Sequence, residues 1–261
     1  MQQLIRDGVK LCFEEAGAGT PLLLFVHGWT CDHTFFAPQF EYFQRAHRVI
    51  AVDLRGHGES DKPEQEYTMA ALADDVRWLC EQIGAAKPVV IGHSMGGLIA
   101  LVLAARYPDV PAAIATLDSL IVPTAELREM VPALVAALRG PAFREMQRQL
   151  VSEMLFLPTD DAARKARILD TMSSAPQHVM ASAFEHLCTC DTADAAAACK
   201  VPFLALYAEP VRSDLAQLRA LCPHVKTGQT VGVGHFHQLE APEQINPMIA
   251  RFLATALANA G

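Results

Sequence analysis

The stretch Val89-Val90-Ile91-Gly92-His93-Ser94-Met95-Gly96-Gly97 holds the residue pattern most able to do covalent chemistry. It sets Gly-x-Ser-x-Gly directly after an apolar run and directly before a segment with helical character. A strand-to-helix reversal this tight forces its central residue into strained backbone geometry and demands small residues two positions to either side. In return, a serine oxygen stands proud of the sheet edge at a helix N-terminus, where peptide dipoles favour a developing negative charge. A serine hydroxyl is a weak nucleophile alone. It needs a base within hydrogen-bond reach, and the base needs an acid to orient it.

Ten histidines are available. His235 sits in Gly232-Val233-Gly234-His235-Phe236, between the last expected strand and the closing helix. A loop there can carry an imidazole over the C-terminal edge of a sheet. His237, two residues on, is the second candidate. His93 points away from Ser94 at such a turn and reads as a packing residue. His27 and His57 lie in glycine-bounded turns and read as structural hydrogen bonders. Asp53 and Arg55, in the turn Asp53-Leu54-Arg55-Gly56-His57-Gly58, read as residues that tie loops together.

Positioning these groups requires a sheet. Short β-like runs alternate with helical stretches, the pattern of a mostly parallel sheet with helices on both faces. Strands are expected at Val9–Glu14, Pro21–Val26, His47–Asp53, Pro88–Ile91, Ala113–Asp118, Val201–Tyr207 and Val225–Val231. Pro21–Val26 is apolar almost throughout, as a strand covered on both faces would be. Helices are expected at Thr68–Ile83, with Thr68 as N-cap, at Ser94–Tyr107 and at Pro242–Ala258. Between about 123 and 195 the alternation gives way to helix after helix. Phe143, Met146, Leu150 and Met154 share one helix face there, and Val179, Met180, Phe184 and Leu187 share another. The spacing predicts a core at 1–122 and 196–261 with a helical cap at 123–195.

The chain of 261 residues is 51% hydrophobic and 19% charged, which excludes a disordered polypeptide. Its net charge of −8, with no cluster of Lys or Arg, argues against nucleic acid as a partner. No apolar run reaches the ~20 residues that span a bilayer, so no membrane partner is expected. The first residues lack the apolar stretch of a secretory signal. Seven scattered cysteines read as reduced thiols, and a cytoplasmic location is expected.

Taken together, the sequence resembles the α/β-hydrolase fold superfamily, in particular its serine esterases. The resemblance rests on His27-Gly28-Trp29 after an apolar strand and on Asp53-Leu54-Arg55-Gly56-His57-Gly58 after the next. It rests also on Gly92-His93-Ser94-Met95-Gly96-Gly97, and on Gly234-His235-Phe236 with the serine preceding the histidine. It implies an oxyanion hole made by the backbone N–H groups of Trp29 and Met95. It also implies an acid, which many relatives carry just after the next-to-last strand. Here that place falls near Val211, which is no acid. Asp118, at the end of the preceding strand, is the favoured replacement, and Glu209 and Asp214 are the alternatives.

The implied activity is cleavage of small carboxylic esters through an acyl-enzyme. No metal or organic cofactor is implied. Lactone, thioester or C–C bond hydrolysis by the same residues is the nearest alternative, and non-catalytic ligand binding is the alternative of another class. A carboxylate nucleophile, as in dehalogenases and epoxide hydrolases, would need Asp where Ser94 stands. The apolar stripes of the cap suggest a substrate with an apolar or aromatic part, and the lack of a basic cluster argues against highly anionic ones.

Overall fold

A computed structural model describes residues 1–123 and 125–256. Eight strands form one sheet: β1 (Gln2–Arg6), β2 (Val9–Ala16), β3 (Leu23–Val26), β4 (Val49–Asp53), β5 (Val89–His93), β6 (Ala113–Leu117), β7 (Phe203–Tyr207) and β8 (Lys226–Gln229). Their spatial order is β1-β2-β4-β3-β5-β6-β7-β8. The pairs β1–β2 and β2–β4 are antiparallel, and every later pair is parallel. This is the α/β-hydrolase fold expected from the sequence, with a mostly parallel sheet flanked by helices. The edge strand β1 was not among the expected strands. Its sequence Gln-Gln-Leu-Ile-Arg is short and largely exposed, so it gives no apolar alternation to read.

The helices are α1 (Ala37–Phe43), α2 (Met69–Gln82), α3 (Met95–Arg106), α4 (Ala125–Leu138), α5 (Phe143–Met154), α6 (Ala162–Ser173), α7 (Gln177–Thr189), α8 (Thr192–Ala198), α9 (Leu215–Leu221), α10 (His237–Glu240) and α11 (Pro242–Ala256). Thr68 caps α2 as expected, its side chain accepting from the Ala71 N–H. The far end of the expected closing helix, at 257–258, and the core's last residues to 261 lie outside the described residues, as does position 124 within the expected cap.

The period-2 geometry of the strands splits the apolar residues into two cores. Leu24, Val26, Ile50, Val52, Val90 and Ile114 face one side and pack with α2 and α3. Leu23, Phe25, Val49, Ala51, Ile91 and Ala115 face the other and pack with aromatic residues of α1 and with Ile245, Ile249 and Phe252 of α11. Covered on both faces, β3 to β7 can be apolar throughout. Helix α3 is itself buried nearly all round, with Leu98 to Leu101 at most 1% exposed. It is the helix that carries the serine at its N-terminus, so the core fixes its position directly.

The turn from β5 into α3 is the tightest crossing in the fold. A Cβ on Gly96 would stand 2.0 Å from the carbonyl oxygen of Val26, and one on Gly92 would stand 2.1 Å from that of Gly96. Both contacts are with backbone, which cannot swing aside. We therefore expect Gly96→Ala to cost about 3 kcal/mol or more, because the neighbouring strand itself must shift. Urea unfolding of the variant against wild type measures this, and a midpoint close to wild type would contradict it.

Candidate active site

Ser94 occupies the turn between β5 and α3 with φ 52° and ψ −118°, a conformation that non-glycine residues rarely adopt. Such a backbone costs of order 1–3 kcal/mol and persists only where its surroundings over-determine it. Here they do. The Ser94 N–H donates to the Leu117 carbonyl at 2.8 Å, and the Ser94 carbonyl accepts from Ser119 Oγ at 2.8 Å and from the Gly97 N–H at 3.0 Å. Ser119, just past the end of β6, had no distinguishing feature in the sequence.

Asp118 directly follows the neighbouring strand β6, also at positive φ, 46°. Its backbone N–H donates to Leu206 at 2.7 Å, tying it to β7. Its Oδ1 accepts the Ala208 N–H at 3.0 Å, and its Oδ2 lies 2.6 Å from Nδ1 of His235. Burial pushes this carboxyl up, but the His235 hydrogen bond, the neighbouring imidazoles and the Ala208 N–H outweigh burial and hold it down at about 2. Asp118 is thus a carboxylate at neutral pH. Nδ1 of His235 must then be the donor, and a neutral ring in that tautomer carries its lone pair at Nε2.

The other two acids are placed elsewhere. Asp214 is exposed and caps α9, accepting from the Gln217 N–H at 2.9 Å. Glu209 is half-buried at the end of β7, where its N–H donates to Val233, and its carboxylate makes no hydrogen bond to His235. The chain reversal that brings Asp118 to His235 spans 117 residues of sequence, so spacing alone could not select it.

His235 is held from three directions. Its N–H donates to Leu155 at the end of α5, its carbonyl accepts from His93 Nε2 at 3.0 Å, and its ring packs on that of His93 at 4.6 Å. His93 therefore does more than pack. It is buried and neutral, since burial drives its pKa well down, and it fixes the backbone of the residue whose imidazole meets Asp118. This pairing joins residues 142 apart and leaves no local signature. The second candidate base, His237, is buried, bonds Thr230 Oγ1 at 3.0 Å and is pushed down to about 4 by burial. It does not line the cavity that Ser94 faces.

Ser94, Asp118 and His235 line one cavity holding about 830 Å³ of space, part of it open to solvent. Trp29 forms one wall, its indole N–H donating to Met180 of α7 at 2.9 Å and its ring packing on Phe184. Leu134, Leu150, Val151, Met154 and Leu187, from α4, α5 and α7, form the opposite walls. Ser94 Oγ makes no hydrogen bond among the described residues. Hydrogen bonds between a nucleophile and its base are often long without substrate and tighten once it binds.

The segment Gly28-Trp29 lies against the serine, where a Cβ on Gly28 would stand 3.2 Å from that of Ser94. Among the described residues, neither the Trp29 nor the Met95 backbone N–H has an acceptor. Away from the cavity, His27 donates from Nδ1 to Gly28 and accepts at Nε2 from the Leu54 N–H. Asp53 gathers the N–H groups of His33 and Glu59, and Arg55 grips Asp75 with two hydrogen bonds. These residues brace the loops under the site.

The α/β-hydrolase fold family matches residues 21–242. Among curated relatives, 2-(acetamidomethylene)succinate hydrolase of Mesorhizobium japonicum is 37% identical over 110 residues, 42% of this chain and 39% of that protein. Epoxide hydrolase 4 of Mus musculus is 38% identical over 109 residues, 40% of this chain and 30% of that protein. The matched region thus spans well under half the length of either relative. Among solved structures, a thermophilic esterase from Thermogutta terrifontis superposes with a TM-score of 0.86 at 27% identity, covering 98% of this chain and 99% of that one. With the family matched over most of its length, this chain belongs to the α/β-hydrolase fold family, a family of hydrolase enzymes.

Proposed function

We propose that the protein is a serine hydrolase of small carboxylic esters, with Ser94 as nucleophile, His235 as general base and Asp118 as the acid. The observation that carries this reading is the 2.6 Å contact between Asp118 and His235 Nδ1, on the same cavity as a serine held in strained backbone. The likeness to a thermophilic esterase supports the choice of an ester, and a serine at position 94 disfavours the carboxylate-nucleophile chemistry of epoxide opening.

In the proposed reaction, His235 Nε2 takes the proton of Ser94 Oγ as that oxygen attacks the acyl carbon. The developing oxyanion faces the N–H groups of Trp29 and Met95, each worth about 3 kcal/mol of transition-state stabilisation. The C–O bond to the alcohol breaks, and the His235 imidazolium returns its proton to the leaving oxygen. Water, deprotonated by the same imidazole, then cleaves the acyl-enzyme and restores Ser94. Asp118 holds the tautomer and offsets the imidazolium charge. Helices α4, α5 and α7 of the cap supply the apolar walls that exclude water from the acyl group.

Treatment with a fluorophosphonate probe is expected to label wild type and to leave Ser94→Ala unlabelled. Labelling that persists in the variant would overturn the assignment of the nucleophile. Asp118→Asn is expected to lower kcat by about 10⁴-fold, as an amide at this place favours the wrong tautomer. A variant with near wild-type kcat would show that the acid lies elsewhere.

The same carboxylate links stability to pH. Its folded pKa of about 2 lies below the ~3.9 of a free aspartate, so its contribution of about 2 kcal/mol is complete above pH ~3.9. It is lost as pH falls through about 2. Urea unfolding of wild type and Asp118→Asn across this range should show the stability gap narrowing as the solution is acidified. A gap independent of pH would contradict the paired carboxylate.

A further inference from the structure

The cavity walls are mostly apolar, and they include one cation that the ester reading does not use. Arg212, in the loop between β7 and α9, lines the cavity beside Tyr207 and Ser213. It is half-buried, and burial draws its pKa down from the usual guanidinium range, with the Asp118 carboxylate across the cavity partly opposing that shift. Its Nη2 donates to the carbonyl of Met154, the last residue of α5. This accounts for one of the five N–H donors that a guanidinium carries. Among the described residues, Arg212 forms no salt bridge and makes no other hydrogen bond.

A cation partly withdrawn from water gains from a direct counter-ion, and buried charges are as a rule paired. The one carboxylate lining the same cavity is Asp118, whose oxygens are already taken by His235 and the Ala208 N–H. The hydroxyl of Tyr207, a residue 2% exposed that lines the same cavity, makes no well-formed hydrogen bond and has the Ser213 side chain as its polar neighbour. A guanidinium with no ion-pair contact and a phenol thus share one mostly apolar chamber with Ser94. The planar fork of a guanidinium fits a carboxylate with two parallel hydrogen bonds, and one phenol can add a third.

We propose that Arg212, with Tyr207, binds a carboxylate carried by the substrate, so that the preferred esters bear one negative charge separated by an apolar spacer from the acyl carbon. A single cation among apolar walls matches one carboxylate and no larger anionic charge. The substrate class rests on the ester-hydrolase reading, whereas the anion site rests on the placement of Arg212 and Tyr207. Capping α5 is the structural work of this residue, and that work would not discriminate between substrates.

Two measurements separate these possibilities. The first compares kcat/KM for the mono-p-nitrophenyl ester of glutarate with that of the same ester whose free acid is capped as a methyl ester. Wild type should favour the acid at least ~10-fold, and Arg212→Gln should reduce that ratio about 10- to 100-fold, chiefly through KM. Arg212→Lys, which keeps the charge and a donor for Met154, should retain part of the preference. No preference in wild type, or a preference undiminished in Arg212→Gln, would overturn the proposal.

The second measures glutarate binding by calorimetry, which needs no turnover. Glutarate should bind wild type, and at least ~10-fold more weakly to folded Arg212→Gln, with melting curves verifying the fold. Should the Gln variant not fold, Arg212→Lys and the wild-type ester ratio decide. Absence of glutarate binding to wild type would overturn the anion site. Binding that depends on Arg212 in a protein that neither turns over the esters nor labels at Ser94 would uphold the anion site while removing the ester chemistry.

Discussion

The site depends on one close approach of backbone to backbone. Where β5 turns into α3, Gly96 lies so near the Val26 carbonyl, and Gly92 so near Gly96, that neither can carry a side chain in place. This crossing holds Ser94 in a conformation it would not adopt alone, with its N–H and carbonyl tied to the end of β6. The cost of order 1–3 kcal/mol is offset by the burial of α3, whose leucine side chains contribute ~1.5–3 kcal/mol each when removed from water. A strained turn on the outside of the fold would relax. Set against the buried centre of a parallel sheet, it cannot.

The parallel order of β3 to β8 turns this local constraint into a site. All these strands end on one edge, so the residues following β3, β5, β6 and β7 converge there without any one loop being long. Asp118 follows β6 and is pinned to β7. His235 follows β8 and is pinned by His93, the last residue of β5, and by Leu155 from the helices above. The serine, the imidazole and the carboxylate are thus each fixed by elements other than their own. A hydrogen-bond geometry good to a few tenths of an ångström needs that kind of support.

Much of this was legible in the residues. The glycine spacing around Ser94 can mean little else once a strand precedes it and a helix follows, and two-sided burial shows in runs such as Leu22 to Val26. What could not be read are contacts that close over long stretches of chain. The sequence favours Asp118 by its place at a strand end, but what separates it from Glu209 and Asp214 is which carboxylate faces His235, a matter of sheet order. The bracing role of His93 needs the histidine loop folded back on β5. Arg212 looks like an ordinary charged loop residue until α5 and β7 set it against an apolar chamber. Short elements with little apolar content, such as β1 and β8, also escaped or were drawn too long, because exposed residues carry no periodic signal.

The central claim is that Ser94 itself becomes acylated, and catching that adduct tests it most directly. Wild type mixed with excess p-nitrophenyl acetate, quenched in acid within the first turnover and digested, should carry an acetyl group on the peptide containing Ser94, with p-nitrophenol released in a burst matching the enzyme concentration. Sustained ester turnover with that peptide unmodified at every quench time would contradict the account.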